Sequence, residues 1–123
     1  MFLGLRTLGL HVPDLEKAKE WYREVLGYGP YFDEPFYVGF DVGGYELGLV
    51  PEEGPVTRGD STTCYWGVAD IEVTHARLVK LGAEALGPIA DVGGGILTAT
   101  VKDPFGNVFG IIFNPHFKLK DEK

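Results

Sequence analysis

The chain writes one pattern twice. Residues 8–29, LGLHVPDLEKAKEWYREVLGYG, return in degenerate form as residues 65–85, YWGVADIEVTHARLVKLGAEA, with Asp14 echoed by Asp70 and Gly27 by Gly82. Each copy reads as a strand feeding a capped helix. A unit of this kind cannot bury both faces of its own sheet, so two of them must pack together. The expected architecture is α+β: two tandem βαβββ modules forming a cupped mixed sheet with helices on its outer face. The concave side of such a sheet is the natural place for a ligand.

The periodicities fill in the first module. Leu3, Leu5, Thr7, Gly9 and His11 alternate with Phe2, Gly4, Arg6, Leu8 and Leu10, as a strand with one face inward would, and Pro13 ends the run. Asp14 supplies an N-cap and Glu16 complements the positive helix end. Leu15, Ala18, Trp21, Tyr22, Val25 and Leu26 make an apolar stripe that Gly27 stops. Residues 36–40 and 45–50 read as strands joined at Val42-Gly43-Gly44, a turn that needs positive φ.

The pattern then restarts. Residues 62–68 read as a strand, Asp70 as a cap, 71–81 as a helix and Gly82 as its terminator. Strands follow at 96–101 and 108–113, separated by the turn Asp103-Pro104-Phe105-Gly106-Asn107. Residues 51–61, with their prolines, glycines and charges, are the linker. Module one therefore spans 1–50, module two 62–117, and the charged residues 118–123 a frayed tail, all within a single domain over 1–123.

Composition narrows the partners. An apolar content of 45%, with Phe 8, Tyr 6 and Trp 2, is enough to build a core without staples. The lone Cys64 rules out an intrachain disulfide and fits a reducing compartment, so a cytoplasmic protein is expected. A net charge of -7 without any basic cluster argues against nucleic acid and anionic lipid as partners. The apolar start, MFLGLRTLGLHV, has no basic cluster ahead of it and runs straight into a helix cap, so it reads as a strand instead of a targeting signal. Nothing approaches the roughly 20 apolar residues of a membrane-spanning helix.

The stretch HVPDLEKAKEWYREVLG resembles the first-module signature of the vicinal oxygen chelate superfamily, and VKDPFGNVFGII is similar to that family's penultimate turn and last strand. The superfamily includes glyoxalases, extradiol dioxygenases, fosfomycin-resistance transferases and metal-free bleomycin-binding proteins. The resemblance covers nearly the whole chain and implies the fold; it leaves the chemistry open. It also implies where a divalent metal would be held, by His or Glu side chains on the first and last strands of each module. Mapped here, those positions are Thr7 and Thr63, seven residues before each capping Asp, together with Glu46 and Gly110. Only Glu46 is a strong ligand, so no metal or other cofactor is expected. His11 does not replace Thr7, because four residues of strand displace it by roughly 13 Å. His75 and His116 lack ligand spacing.

By strand parity the inward positions are Thr7, Gly9, His11, Glu46, Gly48, Thr63, Tyr65 and Gly67. Glu46 stands beside Leu47 and Leu49, where a carboxylate is costly to bury unless paired or used. It either serves a ligand or is hydrogen-bonded structurally to Thr7, Thr63 or Tyr65. His11 is a general base, a recognition donor, or a histidine satisfied locally at a strand end. Phe32, Phe36 and Tyr37 flank Pro30 and Pro35, in a segment able to fold over a pocket mouth and stack on a flat ligand, or to pack in the core. The run Gly93-Gly94-Gly95 lacks the lysine and following helix of a phosphate loop and reads as a turn.

Two functions follow from this pattern. One is a metal-independent small-molecule binder resembling the bleomycin-resistance branch, with ligand contacts at Thr7, His11, Phe32, Phe36, Glu46, Thr63, Tyr65 and Gly110. The other is a glyoxalase-like or dioxygenase-like enzyme with Glu46 as a metal ligand and His11 as base. A metal-free variant of the enzyme would rely on Glu46 and His11 alone. Either form is expected to be a homodimer, as two-module chains of this family often are.

Overall fold

A computed structural model describes residues 2–59 and 61–119. They fall into two compact units divided between Arg58 and Gly59, inside the expected linker. Both units are α+β, each a mixed sheet carrying one helix.

Unit one runs β1 (Thr7–Val12), α1 (Leu15–Leu26), β2 (Phe32–Glu34), β3 (Tyr37–Val42) and β4 (Tyr45–Pro51). Its sheet has the order β1-β4-β3-β2, with β1 parallel to β4 and the other pairs antiparallel. The Asp14 carboxylate accepts the Lys17 amide at 3.1 Å and caps α1. Gly27 closes the helix with φ 83°, a left-handed conformation that suits glycine. Leu15, Ala18, Trp21 and Tyr22 of α1 are buried, as are Val12, Val38, Phe40, Leu47 and Leu49 of the sheet. Those sheet residues share one pleat face, so this face and α1 make the core.

The first strand begins later than the alternation predicts. Residues 2–6 lie outside the ladder, and Phe2, Leu3 and Leu5 are exposed. The physical reason is the partner: β4 starts at Tyr45, and the last upstream backbone bond runs from the Glu46 amide to the Arg6 carbonyl at 2.8 Å. Among the described residues no strand lies opposite Leu3 and Leu5. The short β2 was not anticipated, because three exposed residues carry no periodicity.

Unit two runs β5 (Tyr65–Gly67), α2 (Ile71–Lys80), β6 (Glu84–Ala85), β7 (Ala90–Asp91), β8 (Leu97–Lys102) and β9 (Val108–Phe113). The order is β5-β9-β8-β6, with β7 also paired to β8. β6 and β7 both precede β8 and pair with it in turn as one interrupted antiparallel strand, broken at Gly87 (φ 126°) and Pro88. With that reading unit two is again βαβββ. Asp70 caps α2 by accepting the Val73 amide at 3.1 Å. The core is Ile71, Leu78, Ala83, Ala99, Val101, Phe109 and Ile111. Trp66 stacks on Phe109 with ring centres 4.5 Å apart. Asp103 is the buried acid of this unit, and its Oδ1 accepts the amides of Phe105 (2.9 Å) and Asn107 (2.8 Å), which fixes the β8–β9 turn.

The expected tail lies, from residue 120 on, outside the described residues, as does Asp60 of the linker. Among the described residues no helix is long and apolar enough to cross a membrane.

Candidate functional site

The face of the first sheet opposite α1 is built around missing side chains. Gly9 pairs with Gly48, and Gly48 with Gly39, so three glycines cross β1, β4 and β3 in one row that ends at Phe32 on β2. Two of these glycines leave room for what lies above them. A Cβ at Gly48 would sit 2.8 Å from Tyr37 Cζ and closer still to the phenol oxygen; one at Gly39 would sit 2.8 Å from Glu46 Oε2 and 3.1 Å from Tyr31 Cε1. The row is a floor cleared for two tyrosines and a glutamate.

Glu46 stands two pairs along from this row, on the same face, opposite Thr7 on β1 and Asp41 on β3. Three hydroxyls donate to its carboxylate. Thr7 Oγ1 lies 2.9 Å and Tyr37 Oη 2.8 Å from Oε1, while Tyr31 Oη donates to Oε2. Together they hold the Glu46 pKa below the ordinary carboxylate value against the opposing effect of burial, with Tyr31 contributing most. The phenols respond in the opposite sense. Burial, then the hydrogen bond to Glu46, pushes Tyr37 up to about 12. The Glu46 bond raises Tyr31 as well.

Beside the carboxylate lies an aromatic group. Phe32 contacts Phe36 at 6.1 Å, Tyr37 at 6.0 Å and Tyr31 at 6.5 Å between ring centres, with edge or tilted geometries. Tyr31 and Phe36 are 65% and 66% exposed, so the rings are open to solvent instead of sealed in a core. The segment is held from below by Lys19 of α1, whose ammonium reaches Asp33 on β2 at 3.2 Å. A backbone bond from the Tyr31 amide to the Gly39 carbonyl (2.9 Å) secures it further.

Of the residues singled out in the sequence, the structure brings Thr7 and Glu46 into direct contact and sets Phe32 and Phe36 beside them through Tyr37. His11 pairs with Val50, four positions along β1 from the Thr7 and Glu46 pair, and its carbonyl accepts from Arg58 at 2.9 Å. That places its backbone roughly 13 Å away at ordinary strand rise. Thr63, Tyr65 and Gly110 gather in unit two. Tyr65 pairs with Gly110, and a Cβ there would meet Tyr65 at 2.8 Å and Thr63 at 2.9 Å. Cys64 between them is half-buried, which pushes its thiol pKa up and away from nucleophilic use. His116 hydrogen-bonds the Gly94 carbonyl at 2.6 Å and so ties the triple-glycine turn.

The sequence offers Thr7, Thr63 and Tyr65 as partners of Glu46 and Tyr37 only as a stacking or core ring, and it does not single out Tyr31; the structure puts Tyr31 and Tyr37 on the carboxylate in place of Thr63 and Tyr65. The signal was present in the parity of β3. Tyr37, Gly39 and Asp41 share a face, and antiparallel pairing sets that face beside Glu46 and Gly48. A divalent metal fits this donor set poorly. The Glu46 oxygens already accept three O–H donors, Thr7 offers a neutral hydroxyl committed to Glu46, and Gly110 offers no side chain. Among the described residues no three His, Cys, Asp or Glu side chains converge as a metal site.

A family model described as Glyoxalase/Bleomycin resistance protein/Dioxygenase superfamily matches residues 4–111. Among solved structures, a glyoxalase-related enzyme from Fulvimarina pelagi is 27% identical with a TM-score of 0.81, covering 98% of this chain and 94% of that one. A glyoxalase/bleomycin resistance protein/dioxygenase family enzyme from Burkholderia phytofirmans PsJN has a TM-score of 0.77 at 18% identity, covering 87% and 95%. TioX from Micromonospora sp. ML1 has a TM-score of 0.72 at 19% identity, covering 89% and 98%. The last two likenesses are ones of fold. Among curated proteins, none matches the chain.

Proposed function

Because the chain belongs to the glyoxalase/bleomycin resistance protein/dioxygenase superfamily, we propose that it is a small-molecule-binding protein that seats its ligand on the glycine-cleared face of the first sheet, against Glu46, without a divalent metal. One observation carries this reading. The single strong metal ligand among the family's positions has its carboxylate spent on three hydroxyls, so a metal would have to displace them with one charged group as compensation. The same arrangement favours an organic ligand. It offers a fixed, ionised acceptor beside exposed rings, the mixture of a few oriented polar groups and apolar surface that small-molecule sites use.

The test is a thermal-shift screen of small organic compounds against chelator-treated protein. Ligands of this site raise the melting temperature of the native chain. A ligand at a hundred times its Kd adds about 2.7 kcal/mol, a shift of several degrees for a domain of this size. The shift disappears in Glu46→Gln and shrinks in Tyr37→Phe. A screen whose hits act equally on all three proteins contradicts the assignment.

The enzyme reading is favoured by the likeness to a glyoxalase-related enzyme at 27% identity. It predicts turnover that chelators abolish and that Glu46→Gln destroys. A homodimer accords with both readings. β1 lies at the edge of its sheet, with Phe2, Leu3 and Leu5 exposed next to it, a combination that invites pairing with a second copy. Light scattering on the eluting protein should give twice the monomer mass; monomer mass throughout a dilution series contradicts it.

A further inference from the structure

The Glu46 cluster has a polarity, set by where its protons go. Thr7, Tyr31 and Tyr37 own one hydroxyl proton each, and all three donate it to Glu46. An ionised carboxylate only accepts, through roughly four lone-pair positions, of which three are now filled. What these four residues still offer a ligand is therefore acceptors alone: the oxygen lone pairs of two phenols and an alcohol, and the remaining position on Oε2.

The surroundings have the same sign. Asp41 stands opposite Glu46 on the same face, with Oδ1 fixed by the Gly44 amide at 2.9 Å. The whole chain carries a net charge of -7. Of the cations on α1, the one that reaches β2, Lys19, is drawn to Glu16 (2.9 Å) and Asp33 (3.2 Å). Beside the acceptors, the Phe32, Phe36 and Tyr31 rings are exposed to solvent, and the face of an aromatic ring attracts a cation at about 0.5–2 kcal/mol.

On the reading that this cluster is the ligand site, we propose that it selects a planar organic cation bearing several N–H donors, an amidinium or guanidinium group, laid on the exposed rings with its N–H edge toward Glu46 and the tyrosine oxygens. A carboxylate or carbonyl ligand finds no donor among the cluster hydroxyls. A neutral amide supplies donors but wastes its acceptor and gains nothing from the charge.

The test uses three probes of one size and shape that differ in charge: benzamidine, benzamide and benzoate. Each is titrated into the full-length, isotope-labelled chain, and the amide signals of Thr7, Gly39, Gly48 and Glu46 are followed by NMR. Benzamidine is expected to shift these signals saturably, at least tenfold more tightly than benzamide, and benzoate to leave them in place. Glu46→Gln, which turns an acceptor into a donor, should weaken benzamidine at least tenfold while the rest of the spectrum stays native. The comparison among probes needs no variant, so a folding defect in Glu46→Gln does not decide the matter. If benzamide or benzoate shifts these amides as tightly as benzamidine, the cation selectivity is wrong while the ligand site stands. If no probe shifts them and the thermal-shift screen is also empty, both fail.

Discussion

At Gly48 a single methyl group would separate Tyr37 from Glu46. The Cβ of an alanine there would overlap the phenol, so Gly48→Ala must move either the β4 backbone or the Tyr37 ring. Overpacking of this kind costs roughly 1–3 kcal/mol. The spectroscopic consequence is more specific than the loss of stability. Burial and Glu46 push Tyr37 up to about 12, so absorbance at the phenolate band should show a tyrosine ionising at high pH in the native chain, and its midpoint should fall in Gly48→Ala and in Glu46→Gln. An unchanged tyrosine titration in both variants would contradict the network. The signs follow from the two shifts. A raised Tyr37 contributes stability that is complete below the ordinary tyrosine value and is lost as pH climbs toward 12. A depressed Glu46 contributes stability above its ordinary value and loses it as pH falls through the lowered one. Denaturant midpoints across the acid limb should therefore fall less steeply in Glu46→Gln than in the native chain. At this scale the sequence disclosed Thr7 and Glu46 and the floor glycines Gly9 and Gly48 by parity alone. It did not disclose Tyr31 and Tyr37 as partners of Glu46: the parity of β3 gives the face Tyr37 is on, but its approach to Glu46 depends on the β3–β4 register and that of Tyr31 on the bond to Gly39, which alternation within one strand does not carry.

The elements were legible where a cap marks their ends. Asp14 and Asp70 each accept the amide three residues on, and both helices start directly after them. Asp14→Ala should destabilise unit one by about 1 kcal/mol, seen as a lower urea midpoint at unchanged slope. A change of slope instead would mean the helix end does more than cap. The β8–β9 turn rests on Asp103, a nearly buried carboxylate that satisfies two backbone amides. Removing it leaves both donors without their acceptor, and Asp103→Ala should cost roughly 1–3 kcal/mol, against a smaller loss for Asp103→Asn, which keeps an acceptor oxygen. Equal losses for the two variants would assign the effect to packing instead. Strands without such punctuation were harder to read. β2, β6 and β7 have two or three residues each, too few for a period to show, and they owe their existence to β3 and β8 beside them. β1 starts later than its alternation suggests for the same reason: its length is set by β4.

For the whole molecule the repeat was the strongest signal, since two copies of one strand-and-helix pattern dictate two βαβββ units before any contact is known. The units share architecture and differ in chemistry. The first carries Glu46 with its three hydroxyls; the second brings Thr63, Tyr65 and Gly110 together, with no acid among them. This asymmetry is why family membership leaves the activity open and why the donor set has to be read residue by residue. The proposed function has Glu46 serve organic ligands in place of a metal. The measurement that addresses this most directly is the metal content of untagged protein after soaking in turn with Zn²⁺, Ni²⁺, Mn²⁺ and Fe²⁺, followed by dialysis. The prediction is far less than one ion per chain for every metal, with the high-pH tyrosine titration unaltered by the soak. One ion retained per chain and lost in Glu46→Gln, with the Tyr37 midpoint displaced, would contradict it.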